Sequence, residues 1–407
     1  MKIIVDLHIH SKYSRATSLS GDLKHIAESA KTKGIDVVAT GDFTHPAWLD
    51  QIEKELKPAE PGLFKYNETR FILSTEISCI YSKNNKVRKI HIVVLAPDIK
   101  AVKKINSKLS EIGNLTSDGR PILGLDAKNL LEIILEADKN CLFIPAHVLT
   151  PWFGLFGSKS GFDSVKECFE DLSHHIYALE TGLSADPSMI WRIPDGRKLT
   201  LVSNSDAHSP QKLGREANVF DIEMSYNSII EAIKTRKGFL YTIEFYPQEG
   251  KYHYDGHRSC DICLSSEESK KYNNVCPACG KPLTLGVAHR VAEIADKEKG
   301  FIPENKIPFK SLVPLKEIIS EAFDCGVNTK KVNQEYDRMI SSIGNEFYIL
   351  LEAEKEKISN PAIREGIEKA RKGQLIIEPG YDGVFGKVKI FSKKEKKKLA
   401  AQKVLFD

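Results

Sequence analysis

Short apolar runs punctuate the first part of this chain, and most of them end on a residue able to hold a metal ion. Ile3-Ile4-Val5 leads into Asp6-Leu7-His8-Ile9-His10, so His8 and His10, two apart, leave a predicted strand tip on the same side. Val37-Val38-Ala39-Thr40-Gly41 delivers Asp42 and His45, Phe71-Ile72-Leu73 delivers Glu76, and Ile90-His91-Ile92-Val93-Val94 carries His91 within a strand. Leu142-Phe143-Ile144-Pro145-Ala146 ends at His147, Ile176-Tyr177-Ala178-Leu179 at Glu180, and Leu201-Val202-Ser203-Asn204-Ser205 at Asp206 and His208. Helical stretches at residues 23–33 and 128–137 alternate with these runs, which predicts an α/β fold built from βα repeats. A lone histidine beside an apolar run is more often a hydrogen-bonded core residue than a ligand. Seven strand ends of this kind are another matter, because in βα barrels the carboxyl ends of the strands gather on one rim.

Composition sets the frame. At 407 residues and 41% hydrophobic the chain exceeds one ordinary domain and can bury a core in each of two or three. No apolar run approaches bilayer length and the amino terminus has no signal-peptide profile, so we expect a cytoplasmic, nucleoid-associated protein with no membrane partner. A net charge of +4, with its excess after residue 245, is too small to argue nucleic-acid binding by itself. Of the eight cysteines, Cys79, Cys141, Cys168 and Cys325 stand alone. The others form Cys260-Asp-Ile-Cys263 and Cys276-Pro-Ala-Cys279, doublets twelve residues apart whose spacing reads as a structural zinc site, against a redox pair or unlinked thiols. Ahead of them, residues 251–258 are aromatic and basic, suited to a nucleic-acid surface or to a solvated strand. A boundary is expected near residues 246–250, and a helix-rich segment from 287 to 373, interrupted by Pro303, Pro308, Pro314 and Pro361. Residues 375–388 are either a glycine-rich approach to phosphates or a plain hairpin.

His8-x-His10, Thr40-Gly41-Asp42, Glu76, His91, His147 and Ser205-Asp206-Ala207-His208 resemble the metal-binding set of the polymerase and histidinol phosphatase (PHP) superfamily. The resemblance implies a distorted seven-stranded βα barrel that hydrolyses phosphoesters with two or three divalent cations, zinc, manganese or magnesium. It also implies that His8, His10, Glu76 and Asp206 hold one ion and that Glu76 bridges to a second held by His91 and His147. Where the family usually has an Asp after the His-x-His and a later His, this chain has Arg15 and Asp42, which leaves open a third ion on Asp42 and His208. His208, His45 and Glu180 are the expected proton carriers or further ligands.

With the four-cysteine motif, the loop Thr150-Pro151-Trp152-Phe153-Gly154-Leu155-Phe156-Gly157 and Gly380-Tyr381-Asp382-Gly383, nearly the whole chain resembles the endonuclease Q family. That likeness implies a DNA repair endonuclease acting on duplexes with deaminated bases (uracil, hypoxanthine, xanthine) or abasic sites. It would cut 5′ to the lesion by metal-activated water and leave 3′-hydroxyl and 5′-phosphate ends, with Asp206, Glu76 and His208 catalytic. Trp152, Phe153, Gly154, Phe156, Gly157 and Ser158 are expected at the displaced base, with the glycine amides reading its carbonyl, although a packed lid reads the same. Gln402, Leu405 and Phe406, after a lysine-rich run, resemble peptides that dock on the sliding clamp; a packed terminal element is the alternative. The expected organisation is a metal-dependent barrel at 1–246, a zinc module with one structural zinc at 247–290, a helical DNA-binding region with a terminal hairpin at 291–390, and a basic tail at 391–407. The rival readings are a phosphatase for a small phosphomonoester and a non-catalytic repair adaptor.

Overall fold

The computed structural model describes residues 1–396, and the clamp-type residues Gln402, Leu405 and Phe406 lie outside the described residues. The chain divides into two compact units, one of Met1–Lys31, Ile35–Glu244 and Val287–Lys310, the other of Thr32–Gly34, Phe245–Gly286 and the chain from Ser311.

In the first unit the strand Lys2–Asp6 is buried along most of its length and pairs on both sides. It runs parallel to Val37–Ala39, with Val5 opposite Val37, and antiparallel to Ala217–Asp221, with Ile3 opposite Phe220. Val37–Ala39 continues the parallel order into Thr69–Lys83, whose fifteen residues are long enough to serve a further neighbour. That neighbour, Lys86–Ala96, is antiparallel, from Leu73 opposite Ala96 to Lys83 opposite Lys86. Here the βα alternation expected from the sequence fails. Asn84 and Asn85, both with positive φ (54° and 57°), close a two-residue hairpin in which no helix intervenes. Lys86–Ala96 then pairs with Leu142–Pro145. The short parallel pair Ala178–Glu180 and Thr200–Val202 is tied to its neighbours through loops, Val148 N donating to Glu180 O (3.0 Å) and Ser203 N to Asn218 Oδ1 (3.0 Å).

Helices cover this sheet through apolar stripes. Leu23–Lys33 buries Leu23, Ile26, Ala27 and Ala30, and Ala127–Ala137 buries Leu130, Leu131 and Ile134 behind an Asp126 side chain that caps Lys128 N (2.8 Å). Both lie where the sequence periodicity predicts them. Trp48 is fully buried, and its indole donates to Gly41 O (2.9 Å), pinning the turn that carries Asp42.

The second unit contains the hairpin Asp255–His257 with Ile262–Leu264, the helix Ser266–Lys271, and the helices Leu315–Phe323, Lys330–Ser342, Glu346–Leu351 and Pro361–Arg371 around Ile318, Ile319, Met339, Phe347, Ile363 and Ile367. The glycine-rich stretch after residue 375 contains the hairpin Ile376–Glu378 with Lys387–Lys389. Between these strands Gly380 N donates to Gln248 O (2.8 Å), while Asp382 accepts from Arg258 N and Thr284 Oγ1 (2.7 Å each). These groups brace the cysteine module. Among the described residues no helix is long and apolar enough to cross a membrane.

Candidate metal centres

The carboxyl ends of two strands and the middle of a third converge in the first unit. His8 Nε2, His10 Nε2, Glu76 Oε2 and Asp206 Oδ1 all lie within 4.8 Å of one another. His10 Nε2 is 3.2 Å from Glu76 Oε2 and 3.1 Å from Asp206 Oδ1, and His8 Nε2 is 3.6 and 3.7 Å from the same atoms. His8 Nε2, His10 Nε2 and Asp206 Oδ1 are buried without a hydrogen bond, a combination that burial penalises unless a cation completes it. The other oxygen of Glu76 faces a second group, with His91 Nδ1 at 2.7 Å and His147 Nε2 at 3.1 Å. One carboxylate thus serves two sets of ligand atoms. Asp42, His147 and Asp206 have φ of 48°, 29° and 46°, a left-handed conformation uncommon outside glycine, on the turns that aim them.

The Glu76 and Asp206 carboxylates are held ionised and His91 neutral, as coordination requires, while, against burial, the carboxylates around them hold His8, His10 and His147 above the ordinary imidazole value, with protons that a cation would displace. Burial opposes a charge on Glu76, yet His91 and His8 hold its carboxyl well below the ordinary value. Burial also opposes ionised Asp206, and is overcome by the close approach of His10 Nε2 (3.1 Å) and the charges of His8 and His10. Burial pushes His91 down to about 4 against the pull of Glu76, leaving the neutral imidazole that a metal requires.

Four of the residues singled out from the sequence stand around these sets and not within them. Glu180 sits behind His8, its oxygens 3.0 and 3.1 Å from Nδ1, and also accepts from His147 N (2.9 Å) and Asn204 Nδ2 (2.8 Å). Asp42 lies likewise behind His10, with Oδ1 3.0 Å from Nδ1 while Oδ2 takes Ser11 N, Ser11 Oγ and Ser14 Oγ. Carboxylates in this position orient the imidazole and fix its tautomer. His45 points to Thr116 O (3.2 Å) and stacks on Tyr13. His208 donates Nδ1 to Asp206 O (2.9 Å) and lies against the His10 ring at 4.5 Å, part-exposed.

The cysteine module assembles differently from its spacing. His257, Cys260, Cys276 and Cys279 bring their ligand atoms within 4.8 Å, and Cys263 is not among them. The hairpin register explains why. Gly256 is opposite Cys263 and His257 opposite Ile262, so Cys263 and His257 leave opposite faces, and the Cys263 thiol turns to Pro379 O (3.9 Å). Gly280, with φ +72°, closes the second knuckle by donating to Cys276 O (2.9 Å). The alternation of a short strand through Asp255-Gly256-His257 was the one sequence signal that could have found the histidine.

The loop after His147 folds on itself. Phe156 is fully buried, Phe153 lies on the His91 ring at 4.3 Å, and Trp152 is exposed with Lys89 Nζ over its ring at 4.9 Å. Gly157 N and Gly161 N donate to Gly154 O and Gly157 O (2.9 Å each), so these amides are engaged inside the loop; a Cβ on Gly157 would stand 2.4 Å from Thr150 O. Trp152, Gly157 and exposed Ser158 line a cavity of about 530 Å³ with Arg88, Lys89 and Arg290. Arg290 braces the loop by donating to Phe156 O (2.9 Å) and Phe162 O (3.1 Å). Arg88, Lys89 and Arg290 escaped the sequence reading because isolated basic residues carry no spacing signal.

Residues 314–374 match the family model of the MJ0043 C-terminal domain. The chain is similar to the crystal structure of the lesion-specific endonuclease PfuEndoQ from Pyrococcus furiosus, at 33% identity and a TM-score of 0.87 over 96% of this chain and 95% of that one. It is similar also to a structure of endonuclease Q in complex with a 27-mer duplex substrate bearing an abasic lesion at the active site, at 32% identity and a TM-score of 0.85 over 97% of this chain and 98% of that one. Protein MJ0043 of Methanocaldococcus jannaschii is 37% identical over 249 residues, 59% of this chain, which spans 31% of that longer relative.

Proposed function

The chain belongs to the endonuclease Q family, and from that premise we propose that it is a metal-dependent DNA repair endonuclease that nicks duplexes at abasic sites and deaminated bases. The observation that carries this reading is the shared carboxylate of Glu76, which joins two sets of ligand atoms, in the first of which His8 Nε2, His10 Nε2 and Asp206 Oδ1 are otherwise unsatisfied. His8, His10, Glu76 and Asp206 would hold one cation, and Glu76, His91 and His147 a second. Zinc, manganese or magnesium bound there would activate a water and neutralise the charge that makes a phosphodiester resist attack. The water oxygen bonds to phosphorus 5′ to the lesion as the P–O3′ bond breaks, leaving 3′-hydroxyl and 5′-phosphate ends. Water gives up one proton and the departing oxygen takes one; His208, with Nδ1 committed to Asp206 O, offers Nε2 for that transfer.

The reading extends to the rest of the chain. The sheet, carried round by the Val148–Glu180 and Ser203–Asn218 bonds, supports a distorted seven-stranded barrel. Thiolates with one imidazole suit zinc, so His257, Cys260, Cys276 and Cys279 would fold the module around a structural zinc ion. The cavity beside Trp152 would receive the displaced base, with Lys89 and Ser158 near its carbonyl, since Gly157 N and Gly161 N are engaged. Docking of Gln402, Leu405 and Phe406 on a sliding clamp is a separate proposal, and failure of the intact chain to bind a clamp would end it.

Labelled duplexes carrying uracil, hypoxanthine, an abasic site or no lesion, incubated with and without divalent metal, test the main reading. Metal-dependent nicks only in the lesion-bearing strands are expected. Phosphate release from histidinol phosphate with every duplex intact would favour a small-molecule phosphatase, and neither activity would favour an adaptor.

A further inference from the structure

The loop Asp118-Gly119-Arg120-Pro121 is anchored on several sides. Asp118 Oδ1 accepts from Arg120 N (3.1 Å) and Arg15 N (3.2 Å), Gly119 N donates to Tyr13 O (3.0 Å), and Pro121 O accepts from Ser78 N (2.9 Å). Gly119 is pressed so closely on Asp42 that a Cβ would lie 2.4 Å from its Oδ2. This anchoring aims one side chain, as Arg120 donates Nη1 to Glu76 Oε2 at 3.0 Å.

A simple ion pair does not account for that contact. Glu76 already faces imidazole nitrogens of His8, His10, His91 and His147 at 2.7–3.6 Å, so its carboxylate does not lack polar partners. A guanidinium on the bridging carboxylate also competes with cations for it, unless the charge has another use. Arg120 keeps 22% of its side chain exposed where Glu76 keeps none, so the arginine is open in part to solvent while it holds a fully buried carboxylate. Its planar fork carries five N–H donors, cannot lose its charge and matches two phosphate oxygens at once.

We infer that Arg120 binds the scissile phosphate of the DNA, its guanidinium holding a non-bridging oxygen beside Glu76 and stabilising the charge that grows as the 3′ oxygen departs. The inference rests on the endonuclease reading, and the experiment separates the two. Single-turnover cutting of an abasic-site duplex is compared for the wild type, Arg120→Lys and Arg120→Ala, alongside bound metal per chain and duplex affinity. Arg120→Ala should cut about 10²-fold more slowly, the loss typical of one charge-stabilising donor. Bound metal should not fall, Arg120→Lys should cut at a rate between the two, and guanidinium ions, unlike sodium at equal ionic strength, should restore part of the Arg120→Ala rate. Wild-type cutting matched by Arg120→Ala overturns the inference alone, as does a lost rate that returns with added metal and not with guanidinium. A wild type that cuts no lesion under any divalent metal overturns the endonuclease reading and this inference with it.

Discussion

The two ring nitrogens of His8 have different partners, Nδ1 on Glu180 and Nε2 on the shared point beside Glu76 and Asp206. That division lets separate substitutions test separate roles. Glu180→Gln should keep the fold but weaken metal affinity or activity by about 10–100-fold, as removal of a carboxylate behind a metal-binding imidazole does. Metal titration checks it, and wild-type affinity together with wild-type turnover would return Glu180 to the scaffold. Asp206→Asn removes the negative charge of a proposed ligand, so nicking should vanish while affinity for an abasic-site duplex remains; measurable turnover by that variant would contradict the assignment. The sequence predicts all these residues at strand ends, since a ligand's type and its strand are local properties, but Glu76 stands in the middle of Thr69–Lys83, because that strand runs on to pair with Lys86–Ala96. The sequence did not distinguish candidate ligand from support, because Glu180 and Asp42 differ from Glu76 and Asp206 only in where the fold sets them.

At the scale of elements, the hairpin Asp255–His257 with Ile262–Leu264 decides which four ligand-type side chains of the cysteine module come together. The doublet spacing was legible and pointed to zinc; the strand pleat brings in His257 and turns Cys263 away. His257→Ala should therefore lower zinc content and melt the module, and Cys263→Ser should leave zinc content near that of the wild type. Elemental analysis with calorimetry distinguishes them, and the reverse ranking would restore the four-cysteine set. The hairpin at Asn84 and Asn85 is a similar case. Its positive φ values suit asparagine, but only pairing across Thr69–Lys83 and Lys86–Ala96 reveals that a strand follows without a helix.

For the molecule as a whole, a buried carboxyl outside the candidate ligand sets couples stability to pH. Glu244 accepts from Ser203 Oγ and Thr242 Oγ1, its Oε2 is without a hydrogen bond, and burial pushes its pKa up from 4.5 to about 8. A carboxyl raised in the folded state binds its proton more tightly there than in the unfolded chain. Its contribution is complete below pH 4.5 and is lost as pH rises toward 8. Glu244→Gln should therefore leave the melting temperature unchanged below pH 4.5 and raise it by several degrees at pH 9. Melting curves across that range check the prediction, and a uniform shift at every pH would remove Glu244 from the account.

Residue chemistry and strand patterning were enough to point to a metal-dependent phosphoesterase, because ligand types and apolar runs are written contiguously along the chain. The division of the carboxylates between binding and orienting, the exchange of Cys263 for His257 and the approach of Arg120 to Glu76 depend on contacts between segments far apart in the chain. Those contacts arise from register, turn conformation and loop anchoring, which a linear spacing rule does not encode. The candidate ligands were therefore legible in advance as a set of residues, and the fold decided which of them come together.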